Sequence, residues 1–217
     1  MTPPRFASVA LDVDSTVSGI EGIDWLAKRR GPDVARQIAD LTTQAMQGTL
    51  PLEQVYRARL DAIRPRRDDI DALAHAYVDE LAPGCAEAIS KLRHAGVQVI
   101  LVSSGIRNAL FRLALHLEFD VRDLHAVDIR LDTGGAYIEF DPSSPLTTSM
   151  GKHTLLATLS VPRPLLMVGD GATDLATRGA VDSFAAFTGF VSREKVVREA
   201  DVVIPSFAEL AAFVLSP

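Results

Sequence analysis

"VALDVDSTVSG", residues 9–19, sets two aspartates one residue apart, Asp12 and Asp14, at the end of an apolar run. Two carboxylates that close to a buried strand are costly, because desolvation penalises each one and each repels the other. The pairing makes sense where a cation lies between them, or where one of them is a reactant. The run that leads into them, 6–13, is nearly continuous Phe, Ala, Val and Leu. It predicts a parallel strand buried on both faces.

Four later runs look alike: "VQVILVSS" (97–104), "HAVDIRLD" (125–132), "PLLMVGDG" (164–171) and "DSFAAF" (182–187), with a short "DVVIP" (201–205) that fits a sheet edge. Helical patterns lie between most of them, at 84–96, 106–117 and 151–160. Such alternation predicts an α/β fold with a Rossmann-like parallel sheet as its core. Residues 20–82 interrupt it. They carry no strand signal and divide into helices at 21–30, 32–47, 51–63 and 66–80, punctuated by Gly31-Pro32, Gly48, Pro51 and Pro65. The expected organisation is a core of 1–19 and 83–217 with a helical cap, 20–82, inserted after the first strand. "LDTGGAYIEFD" (131–141) predicts a small hairpin.

The chain has 217 residues, 47% of them hydrophobic, and a net charge of −6. That is enough for a packed core with an insert, and it excludes disorder. The acidic balance argues against nucleic acid as the main partner, while leaving room for a small anionic substrate at a locally cationic site. One cysteine, Cys85, permits no internal disulfide and points to a reducing cytoplasm. It reads as a small buried residue rather than a nucleophile. The N-terminus lacks the pattern of a signal peptide, and no stretch approaches the roughly 18 apolar residues of a membrane span.

Ligands of open α/β sheets bind outside the carboxyl ends of the strands. Here those ends supply Asp12, Asp14, Ser15 and Thr16; then Ser103, Ser104 and Gly105; then Gly169, Asp170, Gly171, Thr173 and Asp174; and Lys152 opens the helix before the third group. Carboxylates, hydroxyls and one ammonium suit Mg²⁺ and a phosphate ester. Asp12 and Asp170 could hold the metal, with a backbone carbonyl near Asp14. Asp12 could attack phosphorus, and Asp14 could protonate the leaving alcohol and then activate water. Ser103, with the backbone of Ser104 and Gly105, would hold the phosphoryl oxygens, and Lys152 would neutralise charge in the transition state. Taken singly, each motif has an ordinary reading: a turn, a loop, a helix cap, a surface lysine. Their order, each at its own strand end or helix start, is what makes the set specific.

"DVDST" (12–16), "VILVSSG" (99–105), Lys152 and "VGDGATD" (168–174) resemble the haloacid dehalogenase superfamily. "DVDSTVSGIEGIDWLAK", "QAMQG", "VQVILVSSGIR" and "MVGDGATD" extend the likeness to its phosphoserine phosphatase branch over almost the whole chain. The resemblance implies a cytoplasmic Mg²⁺-dependent phosphomonoesterase of serine biosynthesis, acting through an aspartyl-phosphate, with O-phosphoserine as the favoured substrate. Position by position it makes Asp12 the nucleophile, Asp14 the general acid/base, and Asp12, Asp14 (by its carbonyl) and Asp170 the metal ligands. Ser103 and Lys152 become the phosphate-binding pair, and Asp174 the carboxylate that orients Lys152. In the cap, Glu21 would face the substrate's ammonium, Arg59 its carboxylate, and Met46 the pocket; Thr173 and Arg193 would add substrate contacts. By residue type alone, 56–71 around Arg59 is a solvated, charged helix pair. Three positions depart from the pattern: Ser104 and Gln47 replace glycines, and Asp128 replaces an asparagine. The rival readings are a phosphatase for another small phosphorylated metabolite, a phosphotransferase, and a binding protein without turnover, the last opposed by the intact set of Asp12, Asp14, Lys152 and Asp170.

Overall fold

The computed structural model describes residues 3–216. The first strand, β1 (Ser8–Leu11), is followed by helices α1 (Gly22–Lys28), α2 (Pro32–Gln47), α3 (Leu52–Ile63), α4 (Arg67–Asp79) and α5 (Cys85–His94). Then come β2 (Gln98–Ile106), α6 (Arg107–His116), β3 (Leu124–Val127), the hairpin β4 (Ile129–Leu131) and β5 (Tyr137–Phe140), α7 (Gly151–Thr158) and β6 (Leu165–Gly169). The chain ends with α8 (Ala172–Leu175), β7 (Ser183–Phe187), α9 (Glu194–Glu199), β8 (Val202–Ile204) and α10 (Phe207–Leu215).

Six strands form one parallel sheet in the order β3-β2-β1-β6-β7-β8, so β1 is central and β8 is an edge, as its brevity predicts. Val9 pairs with Val99 on one side and Leu166 on the other, and every residue of β1 is buried. A strand without a wet face needs the unbroken apolar run read in the sequence. Three helices, α8, α9 and α10, lie beyond those expected. The last is almost wholly apolar, which leaves little polar contrast to reveal its period; Ser206 Oγ caps it, accepting from Glu209 N at 3.2 Å.

The run 125–132 is not one strand. β3 pairs with β2 up to Val127, and Ile129–Leu131 instead pairs antiparallel with β5 outside the main sheet. The break falls at Asp128, which is exposed. A charge there cannot enter the buried layer, and Asn108 Oδ1 accepts the Ile129 N–H at 3.1 Å to fix the new direction.

Five helices lie between β1 and β2, and the cap insertion is built from them. α1 rests on β2, α2 on α8 and α4 on α6, whereas α5 packs against α10 and β2. The solvated reading of 56–71 is only half right. Tyr56, Arg59, Leu60, Ile63, Asp69 and Ile70 are buried. Asp69 is held by Arg29 Nε at 2.9 Å and by Arg30, so its burial is compensated. Cys85 is buried at the start of α5, and burial pushes its thiol pKa up, which agrees with an inert residue. Among the described residues no helix is long and apolar enough to cross a membrane.

Candidate active site

Asp12 lies just past β1, where its N–H donates to Val168 O at 2.9 Å. The ladder between the two central strands thus carries Asp12 to the carboxyl edge in a fixed direction. The chain then turns sharply. Ser15 takes φ 54°, a left-handed conformation costing about 1–2 kcal/mol for a residue with a Cβ. Its Oγ donates to Glu21 Oε1 at 2.8 Å, tying the turn to the first cap residues.

Lys152 Nζ stands 2.6 Å from Asp12 Oδ1 and 2.6 Å from Asp174 Oδ1, its side chain 2% exposed. It is no surface lysine. Asp174 is fixed in turn, since its Oδ2 accepts the Gly171 N–H at 2.9 Å. Gly169 leaves space for it: a Cβ there would lie 2.2 Å from Asp174 Cγ. Asp170 receives the Thr16 hydroxyl at 3.3 Å and the guanidinium of Arg193. The carboxylates of Asp12, Asp170 and Asp174 each offer an oxygen within 4.8 Å of the others.

Burial, and then the charges of Asp174 and Asp14, hold the Asp12 carboxyl well above the usual carboxylate range, against the pull of Lys152. Burial works to lower the Lys152 pKa, but Asp12 and Asp174 outweigh it and hold the ammonium more firmly protonated than usual. Three buried acids meet two cations here, Lys152 on Asp12 and Asp174 and Arg193 on Asp170, which leaves the acids one charge in excess. Their donor set is all oxygen, with no thiolate or imidazole, and so fits a hard divalent cation such as Mg²⁺.

The Asp14 side chain points elsewhere. Its Oδ1 accepts from Gly22 N at 2.6 Å and Tyr77 Oη at 2.8 Å, both in the cap, and its Oδ2 from Ser103 Oγ at 3.2 Å. Ser103 Oγ also accepts the Gly105 N–H at 2.8 Å. Between cap and core lies a cavity of about 40 Å³, walled by Asp12, Asp14, Glu21, Arg59, Ser104 and Lys152 among others. That is room for a few waters and less than a phosphate ester occupies. Burial, then the charge of Asp14, pushes the Glu21 carboxyl up to about 7.

The chain is 35% identical to the rat (Rattus norvegicus) phosphoserine phosphatase over 206 residues, 94% of this chain and 91% of that protein. The chain belongs to the phosphoserine phosphatase family. No protein-family model matches it. Solved structures share the fold. A phosphoserine phosphohydrolase-like protein from Francisella tularensis superposes with a TM-score of 0.85 at 24% identity, over 95% of this chain and 99% of that one. A phospho-aspartyl intermediate analogue of a phosphoserine phosphatase gives 0.81 at 22%, over 96% and 98%.

Of the residues singled out from the sequence, Asp12, Asp14, Glu21, Met46, Arg59, Ser104, Gly105, Lys152 and Thr173 meet at this one cavity. Ser103, Asp170 and Arg193 stand behind its wall, Ser103 turned to Asp14 and Arg193 bridging Asp170 and Glu21. Two of the departures from the family pattern fall outside it. Gln47 is exposed and lines a neighbouring cleft, and Asp128 faces a separate surface pocket. Ser104 is different. Its Oγ is buried without a partner in the cavity wall, and its carbonyl accepts from Tyr56 Oη at 2.9 Å.

Sequence reasoning missed Tyr77, Asp24 and Thr42. Tyr77 sits on the apolar stripe of α4 and reads as core. Thr42 and Asp24 carried a usable signal, because each places a polar group on a stripe of apolar residues: Thr42 between Ile38 and Ala45, Asp24 three residues before Ala27.

Proposed function

We propose that this chain is a Mg²⁺-dependent phosphoserine phosphatase, a phosphomonoesterase that releases serine and phosphate from O-phosphoserine. The observation that carries the reading is the buried Asp12–Lys152–Asp174 cluster beneath a cap that offers both Glu21 and Arg59 to the same cavity. A zwitterionic phosphoamino acid requires one anion and one cation besides a phosphate clamp, and 35% identity to a phosphoserine phosphatase over 94% of the chain supports that substrate.

In this reading Asp12 is the nucleophile: one carboxylate oxygen bonds to phosphorus as the ester P–O bond breaks, giving an aspartyl-phosphate. Asp14 gives its proton to the departing alkoxide, then takes one from the water that hydrolyses the acyl phosphate. Lys152 and Ser103, with the backbone of Ser104 and Gly105, hold the phosphoryl oxygens, and Asp174 keeps Lys152 aimed. Glu21 faces the ammonium and Arg59 the carboxylate, with Met46, Thr173 and Arg193 completing the substrate side. Asp12, Asp170 and the Asp14 carbonyl would hold Mg²⁺, which supplies charge neutralisation for the phosphoryl group. Closure of the cap excludes water and strengthens each of these contacts.

We assign 20–82 to the cap and 1–19 with 83–217 to the core, and the cytoplasm as the working compartment, in keeping with a lone buried thiol. A panel of phosphomonoesters, with and without Mg²⁺, tests the function. O-phosphoserine should lead it, turnover should need Mg²⁺, and Asp12→Asn should abolish it. A poor rank for O-phosphoserine defeats the substrate assignment. Persistent turnover by Asp12→Asn defeats the mechanism, and phosphate transferred to added serine rather than water identifies a phosphotransferase.

A further inference from the structure

Arg59 is 3% exposed, yet no carboxylate pairs with it directly among the described residues. Its Nη1 donates to Thr42 Oγ1 at 2.9 Å, while Nε is buried with no partner. Thr42 is itself buried. A hydroxyl has one proton to give; this one accepts from Arg59 and donates to Asp24 Oδ1. Asp24, Thr42 and Arg59 therefore form a directed chain through α1, α2 and α3, and Asp24 and Arg59 both line the cavity.

The direction of that chain matters. A guanidinium grips a carboxylate side-on with Nε–H and the neighbouring Nη2–H, two parallel bonds in a plane. Holding Nη1 leaves that fork free and fixes its plane. The same hydroxyl keeps Asp24 one hydrogen bond away from Arg59. Without it, Asp24 is the acid within reach to occupy the fork.

We infer that Thr42, backed by Asp24, is a positioning residue that presents the Arg59 fork to the substrate's carboxylate and thereby sets the preference for O-phosphoserine over esters that lack one. The inference rests on the phosphoserine reading above, and its test separates the two.

The measurement is steady-state kinetics of the Mg²⁺-loaded protein on O-phosphoserine, O-phosphoethanolamine (the same amine and phosphate without the carboxylate) and an aryl phosphate. Thr42→Val, which keeps the shape and removes the hydroxyl, should raise KM for O-phosphoserine about 10-fold with kcat within about twofold, and leave the other two KM values unchanged. Thr42→Ser should restore the wild-type value. In an Arg59→Ala background Thr42→Val should add nothing, since the group it positions is gone. Thr42→Ala and Asp24→Asn, read the same way, serve if the valine variant does not fold. An unchanged KM for O-phosphoserine, an equal rise for all three substrates, or additive effects with Arg59→Ala overturns the role given to Thr42. If Arg59→Ala leaves the ratio of O-phosphoserine to O-phosphoethanolamine as in wild type, it is the carboxylate reading itself that fails.

Discussion

Lys152 and Asp174 are joined, Nζ to Oδ1, at 2.6 Å with both side chains out of solvent, and the same ammonium reaches Asp12 at 2.6 Å. A lysine held between two acids cannot swing onto Asp12 alone. Remove one acid and the other takes the whole pull. Asp174→Asn keeps the shape and removes the charge. Breaking a buried pair costs about 3–5 kcal/mol when a charge is left alone, but here Lys152 still faces Asp12. Stability should therefore move by about 1 kcal/mol or less, while kcat falls about 10- to 100-fold because the supporting carboxylate is lost. Thermal melts alongside turnover check this. A large fall in Tm that tracks the lost activity would assign Asp174 to the fold instead.

The acid cluster also predicts the effect of the metal on stability. Asp12 resists ionisation because burial and the charges of Asp174 and Asp14 oppose it. A cation held by Asp12 and Asp170 relieves that repulsion only in the folded state, so Mg²⁺ should raise Tm, and by more as the pH rises and protons compete less for the same carboxylates. Asp170→Asn should remove most of the shift. An Mg²⁺-independent Tm in the wild-type protein would count against a metal at this cluster.

Glu21 provides a pH signature. Burial, then Asp14, raises its carboxyl from an ordinary 4.5 to about 7, against the Ser15 hydrogen bond and Arg193. A folded-state pKa above the unfolded one gives stability that is present below about pH 4.5 and lost as pH rises through 7. Glu21→Gln should thus flatten the decline of Tm across that window in the metal-free protein. Binding has the opposite sense, because only ionised Glu21 attracts an ammonium. KM for O-phosphoserine, relative to an aryl phosphate, should fall as pH rises through about 7, and Glu21→Gln should erase that trend.

The sheet and the aspartates at its strand ends were legible because one local property governed each. β1 and β6 lie in the middle of the sheet with no wet face, so their composition announces them, and ligands gather where such strands end. Glu21 and Arg59 were reached only through resemblance, since a first-turn acid and an arginine in a charged helix are commonplace by themselves. Asp24–Thr42–Arg59 and Tyr77–Asp14 were missed for a related reason. Those bonds join residues 17–18 and 63 positions apart: the first two exist only once α1, α2 and α3 pack together, the last only where the cap meets the strand ends. The splitting of 125–132 was hidden because Asp128, Arg130 and Asp132 alternate with Val127, Ile129 and Leu131, the same period-2 pattern that one continuous strand would show.

The three hydrogen bonds on Asp14 lead to a prediction about the order of steps. Gly22 N, Tyr77 Oη and Ser103 Oγ fix this carboxylate beside Asp12 without making it part of the three-acid cluster. If Asp14 first gives and then takes a proton, its loss must affect two steps with different demands. Serine is a poor leaving group and needs that proton; a nitrophenolate leaves without one. Asp14→Asn should therefore still be phosphorylated by a nitrophenyl phosphate, but should hydrolyse the aspartyl-phosphate at least about 10²-fold more slowly. Rapid mixing should show a burst of close to one equivalent of nitrophenol per protein, then near arrest. With O-phosphoserine the first step stalls and no serine burst appears. Asp12→Asn should give no burst with either substrate, because the oxygen that takes the phosphoryl group is gone. Steady turnover by Asp14→Asn at the wild-type rate would remove Asp14 from the proton path and leave its three donors with a purely structural task.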